Sequence, residues 1–213
     1  MIHYHGGPCP GTRDDNVKFF KGRDCLLSFA YKDAGDEQLL FEVCRTFILD
    51  NGAFTVWRNG GKLDIDGFYS WVDGYRKHPR FEWFLIPDVI GGTESENDRL
   101  VASCKTSFDL KHQCCPVFHL GERLERFNFF HELGYRRVAL GSANGIDLKS
   151  TAFWNEMRKI FHYLDKELDM PFKVHGLRML DPEIVSSFPF SSGDSSTASR
   201  NAIADINWKH RYS

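Results

Sequence analysis

The sequence predicts a compact (β/α)8 TIM barrel. Short apolar runs alternate with longer amphipathic stretches eight times along the chain, the count for eight strands and eight helices. Polar and glycine residues recur at the same end of seven of those runs. A doubly wound open sheet is the rival arrangement, but no Gly-x-Gly-x-x-Gly or P-loop segment opens a helix. At 213 residues the chain lies near the lower size limit for a barrel, so its helices and loops must be lean.

The strands read as near-continuous apolar runs, the pattern of parallel strands buried on both faces. In order they are 2–5, 25–30, 46–51, 81–89, 115–120, 137–142, 172–179 and 188–194. The helices begin with 16–22 and 36–44. Asp64 caps a helix over 64–78 that is apolar at 65, 68, 71, 72 and 75. Thr93 with Glu96 forms a capping box ahead of 97–108. The stretch 123–134 ends on Gly134, a residue suited to the left-handed C′ position. The longest helix, 151–169, is followed by Pro171. A short turn at 182–187 and a C-terminal helix over 196–206 complete the set. Trp71, Trp154, Phe153, Phe161 and the pair Phe129–Phe130 fall at core spacing on these helices and are assigned to packing against the barrel.

Composition narrows the class. The 27 Lys and Arg nearly cancel the 29 Asp and Glu, leaving −2, with 42% hydrophobic and 26% charged residues. That excludes a disordered tail, a collagen-like fibre and a strongly basic nucleic-acid coat. A chain of this length buries roughly 70% of its unfolded surface, enough for one core. One barrel domain spanning 1–213 is expected, with a flexible tail over 206–213. No run approaches the ~20 apolar residues that a spanning helix needs. The N-terminal MIHYHGGPCPG carries no secretory pattern. The six cysteines (9, 25, 44, 104, 114 and 115) include no C-x-x-C pair, which suits neither a disulfide framework nor a zinc cluster. Reduced, buried thiols in a cytoplasmic protein are expected, with no metal, cofactor or membrane partner.

A barrel carries its active site at the C-terminal ends of its strands. Those ends read His5-Gly6-Gly7, Asp50-Asn51-Gly52, Asp88, His119-Leu120-Gly121, Gly141-Ser142, His175-Gly176 and Gly193-Asp194. Any one of these could be a turn or an N-cap. Three Asp, with His and Gly, converging on one face point to a site. Several carboxylates in one pocket suit glycosyl chemistry, where one attacks an anomeric carbon and another moves the leaving-group proton. Glycines let a flat ligand approach the backbone.

Four segments resemble those of the tRNA-guanine transglycosylase superfamily, and most of all its short, phage-type DNA-guanine transglycosylase-like branch. LDNGAF (49–54) is similar to the family's D-S-G-G-F/Y catalytic loop, with Ala53 at its second glycine. IPDVIGG (86–92) sits where the family has its base-recognising Asp. VFHLGE (117–122) and VALGSA (138–143) resemble glycine-bearing strand ends that line the base pocket. Residues 173–200 are similar to its final strand, short helix and Asp-bearing segment. The resemblance spans about 46–200.

The resemblance implies an enzyme that exchanges guanine in nucleic acid, DNA ahead of tRNA, for a 7-deazaguanine such as preQ0. Asp194 would be the nucleophile and Asp50 the general acid/base. Asp88 would accept the N1–H and amine edge of a guanine-like ring. His119 stands where the tRNA enzymes have Gln and would donate to the O6 side. Gly141 would offer backbone groups, with Asn51 and Gly176 beside the base, and Phe54 and His175 would sandwich it. The family's zinc site of three Cys and a His has no counterpart here. If the chain is of phage origin, its compartment would be the host cytoplasm.

A nearly neutral protein must hold phosphate through a local basic patch. The candidates are Arg178, Arg200, and the tail residues Lys209, His210 and Arg211, with Trp208 for stacking. His5 is a further candidate for phosphate or base contact. Tyr135-Arg136-Arg137 precedes the sixth predicted strand and reads as surface solvation on the far face. Two alternatives stay open: an N-glycosidase or nucleoside hydrolase using the same carboxylates, and a non-catalytic 7-deazaguanine-binding subunit. The oligomeric state is open, a homodimer included.

Overall fold

A computed structural model describes residues 1–31, 37–107, 112–141 and 146–204, with the side chains of 105–107 and 202–204 outside that description. The strands are β1 (Ile2–Gly7), β2 (Asp24–Ser28), β3 (Phe47–Asp50), β4 (Phe81–Leu85), β5 (Cys114–Cys115), β6 (Val117–His119), β7 (Arg137–Gly141), β8 (Lys173–Gly176) and β9 (Ser192–Ser195). All the pairings are parallel, in the order β5-β4-β3-β2-β1-β9-β8-β7-β6. The two sheet edges, β5 and β6, are consecutive pieces of one predicted strand, split at Pro116. Proline has no N–H to give the ladder. Its carbonyl still accepts from Ala139 N at 2.9 Å, while Cys115 O accepts from Ile86 N at 2.9 Å. One kinked strand therefore joins both edges, and the sheet is a nearly closed (β/α)8-type barrel.

The helices are α1 (Arg13–Phe20), α2 (Glu37–Val43), α3 (Ala53–Arg58), α4 (Ile65–Tyr75), α5 (Glu94–Ser107), α6 (Arg126–Glu132), α7 (Thr151–Lys166), α8 (Pro182–Ser187) and α9 (Thr197–Ala204). Their starts follow local chemistry. Asp64 accepts from Gly67 N at 2.9 Å, Thr93 and Glu96 close a capping box, and Ser150 accepts from Phe153 N. Gly134 ends the α6 segment at φ 85°. Thr12 and Asp15 make a second capping box that the sequence reading does not single out. α3 is likewise an addition, a short helix inserted between β3 and α4.

Alternation along the strands divides the apolar residues into two clusters. Tyr4, Leu26, Ile48, Trp83, Leu85, Cys115, Val117 and Ala139 fill the barrel interior. The larger cluster lies between the sheet and the helices and includes Phe153, Phe161 and Phe130, with Trp71, Trp154 and Phe129 packed partly buried against it. The six cysteines are buried and free. Among the described residues no helix is long and apolar enough to cross a membrane.

Two sequence expectations change here. Tyr135-Arg136-Arg137 is on the far face, where Arg136 is exposed as expected but its two neighbours are not surface solvation. Tyr135 is fully buried and donates to Val101 O at 2.9 Å. The Arg137 guanidinium lies 4.7 Å from the Trp83 ring centroid, where it closes the bottom of the barrel. His5 points outward: Tyr4 takes the inward position of β1, so His5 meets Phe19 of α1 edge-on at 5.4 Å.

Candidate active site

The strand ends enclose a cavity of about 980 Å³ at the barrel mouth. Asp50, Asp88 and Asp194 all line it. They arrive from β3, the loop after β4, and β9, so elements far apart in sequence bring three carboxylates together.

Asp50 ends β3, and its Oδ2 accepts from Gly52 N at 3.2 Å. The turn depends on glycine. Gly52 has φ 77°, and a Cβ there would sit 2.8 Å from the Ala30 nitrogen. Burial raises the Asp50 carboxyl to about 6, and the charges of Asp194 and Asp88 add to the rise. The Ser28 hydroxyl and the Gly52 N–H oppose it.

Asn51 lines the cavity but spends its amide on the protein. Nδ2 donates to Ile86 O and to Asp88 Oδ1, both at 2.8 Å, and Oδ1 accepts from Ala53 N at 2.8 Å. It is a bracket between two loops that positions Asp88, rather than a ligand-binding group as the sequence suggests.

His119 is also redirected. Its Nε2 lies 2.9 Å from Asp88 Oδ2 and its Nδ1 3.3 Å from Glu122 Oε1, while its N–H donates to Glu122 Oε2 at 2.8 Å. Burial opposes its charge, but the two carboxylates hold its pKa up at about 9. It is therefore an imidazolium donating to Asp88 and Glu122, and neither nitrogen is spare for a base carbonyl. Glu122 in turn pairs with buried Arg126, which also donates to Asp98 at 2.7 and 2.9 Å. This chain of charges fixes Asp88 from behind. The His-x-x-Glu spacing was its only sequence signal.

Asp194 accepts from Arg178 N at 3.0 Å on Oδ1. Arg178 has a left-handed backbone (φ 59°), and its guanidinium lies 3.8 Å above the Phe54 ring centroid. Phe54 thus stacks with Arg178. His175 does not reach the cavity: it is 0% exposed, below Asp194. Gly176 is also beneath the cavity, and a Cβ there would meet Met179 at 2.9 Å. Gly141 lines the wall, and its carbonyl accepts from Leu120 N at 2.9 Å.

Arg58, Arg178 and Arg200 line the mouth and are exposed, and none pairs with a carboxylate among the described residues. Tyr31 and Trp57, 46% and 51% exposed, line it as well. Sequence reasoning missed Arg58, Tyr31 and Trp57, because α3 and the turn at Phe29–Tyr31 carry no strand-end signal. Trp208, Lys209, His210 and Arg211 lie outside the described residues. Among the described residues no set of three or more His, Cys, Asp or Glu is disposed to hold a metal ion.

No family model and no curated protein matches the chain. Solved structures share the fold. A protein of Aquifex aeolicus VF5, described only as a structural study, aligns over 99% of this chain and 88% of its own at 15% identity and TM-score 0.59. A Coccidioides immitis structure described as a "putative fructose-1,6-biphosphate aldolase" aligns over 91% of this chain and 72% of its own at 14% identity and TM-score 0.53. At those identities the likeness concerns the fold.

Proposed function

We propose that this protein is an enzyme, a transglycosylase that exchanges guanine in nucleic acid, DNA ahead of tRNA, for a 7-deazaguanine base such as preQ0. The observation that carries the reading is a pair of carboxylates on one cavity in different environments. Each accepts one backbone N–H, but burial raises Asp50 to about 6 with two like charges facing it, while Asp194 has the His175 ring 3.3 Å from its Oδ1. Carboxylates in unlike surroundings take unlike roles, acid and nucleophile.

In the first step Asp194 attacks the anomeric carbon. The bond from that carbon to the base nitrogen breaks, its electron pair goes to the base, and Asp50 delivers a proton to the departing guanine. In the second step Asp50 takes the ring N–H proton of the incoming deazaguanine, whose nitrogen attacks the same carbon and releases Asp194. Asp88, held by Asn51 and His119, keeps lone pairs for the donor edge of the base. Arg58 and Arg200, which pair with no carboxylate among the described residues, and Arg178 stacked on Phe54 would supply the local positive charge that a chain of net charge −2 needs to hold phosphates.

The test incubates the protein with guanine-labelled single- and double-stranded DNA and tRNA, each with preQ0 or preQ1, and analyses the nucleosides by mass spectrometry. Label release matched by incorporation supports the reading. Free guanine without incorporation indicates the hydrolase, and base binding without turnover indicates the binding subunit.

A further inference from the structure

Below Asp194, on the side away from the cavity, lies a histidine that this chemistry does not use. His175 on β8 is fully buried, with its ring held edge-on by Tyr4 (centroids 6.0 Å apart) and Trp83 (4.9 Å). Its Nδ1 is 2.9 Å from the hydroxyl of buried Ser192. Its Nε2 is 3.3 Å from Asp194 Oδ1, within ion-pair distance but off the line of a hydrogen bond, and it has no hydrogen-bond partner among the described residues. The Arg178 N–H reaches the same Oδ1 from the loop after β8. Among the described residues no hydrogen bond or ion pair is made to Oδ2.

The ring's protonation is constrained by what surrounds it. If the Ser192 hydroxyl donates to Nδ1, the neutral ring carries its hydrogen on Nε2. If the ring is charged, Nδ1–H donates to Ser192 and Nε2 again carries a hydrogen. Only the remaining tautomer would set a lone pair against the carboxylate, and a buried site disfavours that. Both acceptable forms put a hydrogen on the nitrogen that lies 3.3 Å from Oδ1, close enough for electrostatic attraction though not aligned as a hydrogen bond.

We propose that His175 is a positioning residue: seated on Ser192, it backs Asp194 Oδ1 at ion-pair distance, where the Arg178 N–H also binds, and leaves Oδ2 as the attacking atom. The inference rests on the transglycosylase reading for the role of Asp194, but its geometry does not. Several titratable and charged groups face Asp194. They are His175 on β8, Arg178 after it, Tyr4 on β1, Asp50 and Asp88 across the cavity, and Arg200 on α9.

The test labels the full-length protein with carboxyl-¹³C aspartate and follows the Asp194 resonance with pH, using Asp194→Asn to assign it. In His175→Phe, Asp194 loses the polar N–H that faces its charged form, and its midpoint should rise by about one pH unit. The acid limb of the base-exchange rate should move up with it. His175→Gln can place an amide N–H near the Nε2 position and should keep the parent midpoint. His175→Asn reaches only the Nδ1 position and should shift like Phe. If His175→Phe does not fold, the Asn and Gln pair decides. An unchanged midpoint in Phe or Asn, or a Gln shift as large as that of Asn, overturns the proposal. A protein that shows the shift but exchanges no base refutes the transglycosylase reading alone. Exchange without the shift refutes this inference alone.

Discussion

His119 makes the stability of this protein depend on pH in a direction opposite to that of a paired carboxylate. Its pKa rises from 6.5 to about 9 because Asp88 and Glu122 flank the ring. The rise from 6.5 to about 9 corresponds to about 3 kcal/mol of folding free energy. Below pH 6.5 the ring is charged in the folded and unfolded chains, and that contribution is fully present. As pH rises toward 9 the unfolded chain releases its proton first, so folding loses the contribution, and above about 9 it is gone. His119→Gln removes the titration. Denaturant unfolding of both proteins from pH 6 to 10 isolates the effect, because other titrating groups are shared. The advantage of the parent over the variant should shrink by about 3 kcal/mol across that range. A constant difference from pH 6 to 10 would refute the argument and would mean that the ring is neutral between its carboxylates.

Other substitutions test the rest of the site. Arg126→Met strands the carboxylates of Glu122 and Asp98 and should cost about 3–5 kcal/mol in unfolding experiments; a loss below about 1 would contradict the charge chain. Asp50→Asn should abolish exchange yet stabilise the fold by about 2 kcal/mol above pH 6. The parent's neutral-acid advantage is present below the unfolded value of 3.8 and is lost as pH rises through about 6, so the gain should vanish near pH 4. Gly52→Ala should cost at least ~1–2 kcal/mol through its left-handed backbone and lower exchange by displacing Asp50, as read by unfolding and nucleoside analysis. Arg58→Ala combined with Arg200→Ala should weaken oligonucleotide binding and flatten its salt dependence by about one to two phosphate contacts.

The barrel was legible because most strands announce themselves as dense apolar runs and the starts of α4, α5 and α7 carry capping residues. The split at Pro116 was legible in principle, since proline forbids the ladder at that position. The fourth predicted strand overran for the same reason, at Pro87, and the seventh because Arg178 turns left-handed. Strand-end reading brought Asp50, Asp88 and Asp194 to one cavity, as chain topology alone requires. It could not assign hydrogen-bond partners. Asn51 and His119 look like ligand groups in a linear sequence and become supports once Ile86, Asp88 and Glu122 stand beside them. His175 falls below the mouth because the β8–β9 register sets it beside Ser192, two residues before Asp194. α3, with Trp57 and Arg58, was illegible because its six residues show no helical period.

The proposed exchange passes through a covalent bond between Asp194 and a sugar carbon. Its most direct measurement is intact-mass analysis of the protein after incubation with a guanine-containing oligonucleotide, without and with preQ0. The expected product is an adduct of protein plus oligonucleotide minus guanine that localises to Asp194, is absent from Asp194→Asn, and disappears when preQ0 is added as the base enters the strand. Base exchange at the parent rate by Asp194→Asn would contradict it.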